Sequence, residues 1–243
     1  MKTFIFAITI IISINISFSQ KISNVDYTLI EKNIKDPSSL FFYPNLTELF
    51  SKNITMTSKE YIHLYYGNVY YKNYNPYGGG DSVKVFKDLV RNKDYRKAIP
   101  IGKKILEENP VNLDVLYKML VCYHYLEIKD TAQIYANKYY TFIDVIMASG
   151  DGKSIETAYV VNCVNDEYQI IFNLDLKTKG QALLNDGPTD LLYIDTKRQK
   201  KIKGQKKIKE VYFNITKYWD ATAKIIHESF EKEKIKKDSL QNE

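Results

Sequence analysis

The spacing of apolar residues changes near Gly150, and this change constrains the fold more than any other feature of the chain. Before it, apolar side chains recur every three or four residues, which is typical of amphipathic α-helices. After it, segment 156–164 is continuously apolar and β-branched, and segments 190–196 and 208–216 are also typical of strands. The sequence therefore predicts an α+β fold in which helical hairpins are followed by a small, mostly antiparallel sheet.

The N-terminus predicts export. A short basic start is followed by an apolar run of about a dozen residues and by small residues at two alternate positions, a pattern typical of a secretory signal peptide. We expect residues 1–19 to be removed by cleavage between Ser19 and Gln20. The run is shorter than the about 20 residues that a membrane span needs, although an uncleaved anchor helix is the alternative. No cysteine lies near the cleavage point, so we expect a periplasmic or extracellular protein that is not a lipoprotein.

The rest of the chain divides into a helical part in residues 20–149, an α+β part packed on it in residues 150–230 and a charged, fraying tail in residues 231–243. Pro100 lies inside a predicted helix and is expected to kink it, because proline lacks the backbone donor. For residues 165–176, a short helix and a strand both fit the pattern.

Part of the helical region resembles a known repeat. Predicted helices begin near Asp94, Asn112 and Asp130, and the dipeptide Lys-Asp recurs with a spacing of 36 residues at 93–94 and 129–130. Paired helices joined by short turns at this spacing resemble tetratricopeptide repeats, whose period is about 34 residues. We therefore expect tetratricopeptide-like helical hairpins before Gly150.

Several segments carry a resemblance over nearly the whole mature chain. In order, they are "EYIHLYYGNVYYKNYNPY", "GDGKSIETAYVV", "DEY" at 166–168, "DLLYID" and "VYFNI". With these segments the chain resembles the family called domain of unknown function 4919, which comprises exported proteins of Bacteroidetes-type bacteria. The resemblance implies one family-wide unit, bacterial export and no known cofactor. Because the family has no assigned activity, it implies no catalytic or binding residues.

A cluster of seven tyrosines lies between residues 61 and 77. Tyrosine offers an apolar face and a polar tip, so exposed rings could stack on sugars or contact a partner. The alternative, which the order of the residues favours, is that the rings pack the junction between helices. The binding candidates in this segment are Tyr61, Tyr65, Tyr66, Tyr70, Tyr74 and Tyr77.

Four acidic residues near Gly150 are the only candidates for catalysis: Asp151, Glu156, Asp166 and Glu167. Two carboxylates in one cleft could hydrolyse a glycan by acid–base catalysis. Acids in such positions more often cap helices, and Asp166 precedes an apolar run as a cap does.

Gly152-Lys153-Ser154 resembles the end of a nucleotide-binding phosphate loop. That motif requires a glycine where this chain has Met147, and it leads from a strand into a helix rather than from a helix into a strand. We interpret the segment as a turn and expect no nucleotide binding.

Histidine and cysteine spacing predicts neither a metal site nor a cofactor. His63, His124 and His227 lack metal-ligand spacing, and Cys122 points to a different helix face from His124. Two separate buried thiols at Cys122 and Cys163 are the simpler interpretation. The alternative is a disulfide between them, which export would permit.

Eight lysines and arginines lie between Lys197 and Lys209 without an acid, in a chain of net charge +6. This arm could bind anionic lipid or glycan, or could be a solvated hairpin whose lysines prevent strand pairing. Nucleic acid is not expected, because export removes that partner.

These observations favour a non-enzymatic, exported interaction module over an enzyme. Stacked helical hairpins expose a concave groove that can hold a peptide or a partner protein. We expect this groove to be lined by the tyrosine segment and the predicted helix 112–127. The alternatives are an envelope glycan-active hydrolase and a binder of anionic envelope surfaces through residues 197–209.

Overall fold

A computed structural model of the protein describes residues 25–77, 79–184, 188–200 and 206–241. The predicted signal peptide and its cleavage site between Ser19 and Gln20 lie outside these residues. The N-terminal part consists of α1 (Tyr27–Lys35), α2 (Tyr43–Ser51), α3 (Ser58–Gly67), a 3₁₀ turn (Asn68–Tyr70), α4 (Asp81–Arg91), α5 (Tyr95–Glu108), α6 (Leu113–Tyr125) and α7 (Lys129–Ser149). The C-terminal part consists of β1 (Tyr159–Val160), α8 (Val164–Asn173), β2 (Thr178–Leu184), β3 (Thr189–Ile194), β4 (Glu210–Asn214) and α9 (Thr216–Gln241).

The strands form one four-stranded sheet in the order β1-β4-β3-β2. β1 pairs with β4 in parallel, whereas β4 with β3 and β3 with β2 are antiparallel. The predicted α+β class, with helices first and a small, mostly antiparallel sheet second, is therefore confirmed. The larger buried cluster contains residues from both parts, from Ile30 in α1 to Ile215 after β4.

Local sequence signals explain where several helices begin. Thr57 and Glu60 form a reciprocal capping box at the start of α3: the Thr57 backbone N–H donates to Glu60 at 2.6 Å, and the Glu60 N–H donates to the Thr57 hydroxyl at 3.3 Å. Asn112 caps α6 by accepting from the Val115 N–H at 3.1 Å. α5 continues through Pro100, so the proline does not end the helix, and the kink stays a prediction.

Other elements differ from the prediction. The sequence analysis assigned no helix to α4, although Val83, Phe86 and Val90 are spaced three and four residues apart, as on one face of a helix. It also missed β2, whose residues are mostly exposed or half-buried. For residues 165–176 the helical alternative is right for α8. α9 runs to Gln241 through residues that favour helix and without glycine or proline, so the described part of the predicted charged tail is helical, and its fraying stays a prediction.

β1 is an edge strand, and three tyrosines and a serine satisfy its outer edge. On its inner side, the Val161 N–H donates to the Asn214 carbonyl at 3.2 Å. On the outer side, the Val160 N–H donates to the Ser149 hydroxyl at 2.9 Å, and the Tyr66 hydroxyl donates to the Val160 carbonyl at 3.2 Å.

The same pattern continues two residues later. The Asn162 N–H donates to the Tyr65 hydroxyl at 3.3 Å, and the Tyr74 hydroxyl donates to the Asn162 carbonyl at 2.6 Å. Side chains therefore make the hydrogen bonds that a neighbouring strand would make with the outer edge of β1, and they join α3 to the sheet.

We predict that Tyr66→Phe destabilises the protein by about 1–3 kcal/mol, because it leaves the buried Val160 carbonyl without a donor. Urea denaturation followed by circular dichroism gives the free energy of unfolding. Tyr77→Phe is the matched control, since Tyr77 is 54% exposed. Equal stability of the two variants would contradict the role assigned to the Tyr66 hydroxyl.

Candidate functional site

Two of the predicted catalytic acids lie at the junction between α3 and the sheet. Asp166 and Glu167 occupy the first turn of α8, and both are buried. The Tyr65 hydroxyl donates to Asp166 Oδ2 at 2.6 Å. Burial raises the pKa of Asp166 to about 7, although the bond from Tyr65 opposes the shift.

Glu167 faces a second buried acid that the sequence analysis did not single out, Asp190 on β3. Burial, and after it the nearby Asp190 carboxylate, raises the pKa of Glu167 to about 9. Burial also raises the pKa of Asp190. Two acids that face each other away from water favour sharing a proton, so at neutral pH Glu167 is protonated.

The other two predicted acids lie apart from this pair. Asp151 is half-buried and binds Lys153 at 2.9 Å, and Glu156 is exposed. The cavity beside Asp166 has a volume of only about 20 Å³, enough for a water molecule but not for a sugar ring. The four acids therefore do not line a common cleft, and we do not carry the hydrolase forward as a proposal.

The turn 150–154 has the geometry of a backbone reversal. Gly152 has φ of 66°, and the N–H groups of Asp151 and Gly152 both donate to the Thr157 carbonyl, at 2.9 and 2.8 Å. A Cβ at Gly152 would lie 2.5 Å from the Tyr159 ring, so only glycine fits both the conformation and the space. The segment leads from α7 into β1, as predicted for a turn.

The six tyrosines proposed as binding residues are distributed through the fold rather than forming one platform. Tyr65 and Tyr66 are fully buried, which removes them as contacts for a ligand, and the Tyr74 hydroxyl is bonded to Asn162. Tyr61 packs edge-on against Phe142, with ring centroids 5.8 Å apart. The two remaining rings lie near the C-terminal helix: Tyr70 is 5.2 Å from Lys217 Nζ, and Tyr77 is 6.5 Å from the Tyr218 ring.

Both cysteines are free thiols, so the disulfide considered as an alternative is not present in this structure. Burial raises the pKa of Cys122 to about 11 and that of Cys163 well above its ordinary value, which makes both poor nucleophiles. Cys163 precedes α8 rather than lying in a strand. In the described part of the chain, no group of three His, Cys, Asp or Glu side chains is placed to hold a metal ion.

The basic arm joins β3 to β4, and its residues 201–205 lie outside the described ranges. Among the described ones, Arg198 is 3.4 Å from Asp195 and Lys200 is 2.6 Å from Asp175. Lys207 donates to the Thr196 carbonyl. Part of the positive charge is therefore paired within the protein.

A groove of about 670 Å³ lies in the helical part, a size typical of ligand sites. We call it the α2–α7 groove. Its walls come from α2, α5, α6, α7 and two turns, with the residues Thr47, Glu48, Phe50, Ser51, Asn53, Lys103, Leu106, Glu107, Pro110, Leu116, Tyr123, Thr131, Ile134, Tyr135 and Lys138.

Lys138 gives the α2–α7 groove its distinctive electrostatics. Its ammonium nitrogen lies 4.4 Å from the Phe50 ring centroid and 5.9 Å from that of Tyr135. Burial lowers the pKa of Lys138 to about 8. No ion pair among the described residues includes Lys138. The groove therefore contains a half-buried cation that two aromatic rings contact and no carboxylate neutralises.

The sequence analysis expected a groove lined by the tyrosine segment and helix 112–127. The α2–α7 groove includes Leu116 and Tyr123 of α6, whereas none of the six candidate tyrosines lines it. The signal that could have indicated it is the pair Tyr135 and Lys138, three residues apart on one helix face. The contact between Lys138 and Phe50 joins residues far apart in the chain, so the spacing of residues in the sequence does not predict it.

The family model for Domain of unknown function (DUF4919) matches residues 28–224, more than half of the chain. The chain belongs to the DUF4919 family. Neither a curated protein nor a solved structure matches it. The likeness of the helical part to tetratricopeptide repeats therefore stays a prediction. Over the described residues, no helix combines the length and hydrophobicity that a membrane span requires.

The buried acid pair predicts how stability depends on pH. Glu167 ionises near its ordinary pKa of 4.5 when unfolded but only near 9 when folded. The contribution of Glu167 to the free energy of unfolding is therefore greatest below about pH 4.5. It falls as the pH rises from about 4.5 to about 9.

We predict that Glu167→Gln raises the melting temperature at pH 7–8 and flattens its dependence on pH between 5 and 9. Differential scanning calorimetry of wild type and variant tests this. Glu156→Gln, at an exposed position, should follow the wild-type curve. If Glu167→Gln retained the full wild-type pH dependence, the assignment of a buried, protonated Glu167 would be wrong.

Proposed function

We propose that this DUF4919 protein is an exported, non-enzymatic interaction module that holds a peptide segment of a partner protein in the α2–α7 groove. The observation that carries the proposal is the groove itself, about 670 Å³ bordered by four helices. Leu106 and Ile134 offer apolar surface, and the rings of Tyr123 and Tyr135 stack with centroids 5.4 Å apart.

The composition of the groove supports a peptide as the occupant. Apolar side chains of a peptide would bury surface against Leu106 and Ile134, and burial of apolar surface drives such association. Hydroxyl and amide side chains along the groove, Thr47, Ser51, Asn53 and Thr131, can hydrogen-bond a passing backbone. The groove is therefore mixed in character, as are sites in which a few polar groups orient an apolar ligand.

A groove-filling substitution tests the proposal. We expect a random twelve-residue peptide library, selected on the mature chain, to yield binders whose affinity falls at least tenfold in Thr131→Trp, because the indole would occupy the groove. Isothermal titration calorimetry measures the affinities. Thr141→Trp is the matched control on the same helix, and it lies outside the groove. Absence of binders, or equal loss in both variants, would contradict a binding groove at this place.

Export is the second part of the proposal, and it rests on the sequence of residues 1–20. We predict that the protein recovered from a bacterial host's periplasm or medium begins at Gln20. Intact-protein mass spectrometry measures this directly. A cytoplasmic product that retains Met1 would contradict it.

A further inference from the structure

We propose that the α2–α7 groove recognises an acidic side chain of the bound segment, Asp or Glu, through the ammonium group of Lys138. This inference rests on the proposed function and specifies the chemistry of its ligand. The juxtaposition that carries it is a cation held over the Phe50 ring at 4.4 Å, inside a groove, with no carboxylate partner among the described residues.

The position of Lys138 explains why a ligand carboxylate would bind there. A half-buried ammonium has lost part of its hydration, and the faces of Phe50 and Tyr135 replace only part of it. A carboxylate that enters the groove restores the missing electrostatic interaction through a charge-assisted hydrogen bond, which is among the stronger polar contacts in proteins.

The other charges that border the groove leave this role open to a ligand. From α2, Glu48 is already paired with Lys52 at 2.5 Å. From α5, Lys103 and Glu107 carry opposite charges, and both are exposed to solvent. From α6 and α7 the other titratable side chains in the groove are the phenols of Tyr123 and Tyr135, and neither helix contributes a carboxylate to the groove lining. The groove is therefore complementary to an acid beside apolar side chains.

The test uses the binders obtained from the peptide library. We expect them to be enriched in Asp or Glu beside an apolar residue, with the acid at a fixed place. Replacing that acid by its amide, in peptides with amidated C-termini, should weaken binding about tenfold or more, and Lys138→Gln should do the same. Binding of acid and amide peptides to Lys138→Gln should be equal, since the variant removes their shared partner.

Two further variants separate recognition from a structural effect. Lys129→Gln removes an exposed positive charge from the same helix and should leave affinity unchanged. Lys138→Arg keeps the charge and should retain binding within a few-fold. Because the pKa of Lys138 in the free protein is about 8, wild-type affinity should decrease as pH rises above 8, whereas that of Lys138→Arg should stay constant to pH 9.5.

The outcomes distinguish this inference from the proposed function. Binders that require an acid, lose affinity in Lys138→Gln and lose it in Thr131→Trp support both. Binders that lose affinity in Thr131→Trp but not in Lys138→Gln, with no acid preference, overturn the role of Lys138 and leave the groove in place. A library that yields no binder overturns the proposed function and this inference with it.

Discussion

The hydroxyl groups that satisfy the outer edge of β1 are the interaction on which the rest of the structure depends. A two-residue strand paired on one side leaves backbone donors and acceptors that must find partners once they are buried. Tyr65, Tyr66 and Tyr74 supply them from α3 and the loop after it, and each hydroxyl sits at the end of a rigid ring. Because these contacts join positions nearly a hundred residues apart, they fix the sheet against the helical part and prevent the edge from pairing with another chain.

Burial of three acidic side chains at this junction is electrostatically unfavourable. Asp166, Glu167 and Asp190 are buried beside the tyrosines, and burial raises the pKa of each. Tyr65 partly offsets the cost at Asp166 by donating to its carboxylate, whereas Glu167 keeps its proton instead. Perturbed acids often mark catalytic sites, but here the adjoining cavity of about 20 Å³ leaves no room for a substrate beside them. The acids are better explained as part of the packed junction.

Sequence periodicity predicted what depends on local pattern and failed where a contact is made at long range. The amphipathic helices and the change after Gly150 follow from neighbouring residues, and both are present. α4 was missed although its apolar residues are spaced as in a helix, whereas β2 was missed because its faces are nearly equally polar. The sequence analysis favoured a packing role for the tyrosine segment, yet only the fold shows that Tyr65 and Tyr66 contact the strand edge. Nothing in the sequence indicates that Phe50 and Lys138 meet.

The contact between Lys138 and Phe50 explains why the α2–α7 groove, rather than the junction, is the better place to look for a ligand. At the junction, the charge that burial disfavours is removed by protonation within the protein. In the groove, a lysine at neutral pH keeps its charge, since its pKa of about 8 still lies above the ambient pH. Lys138 contacts two aromatic rings but has no acid partner among the described residues. It therefore stabilises the fold little, because an apolar side chain would pack there at a lower desolvation cost. An acidic group from outside would supply the partner that Lys138 lacks, which is a physical reason for a charged residue at this position.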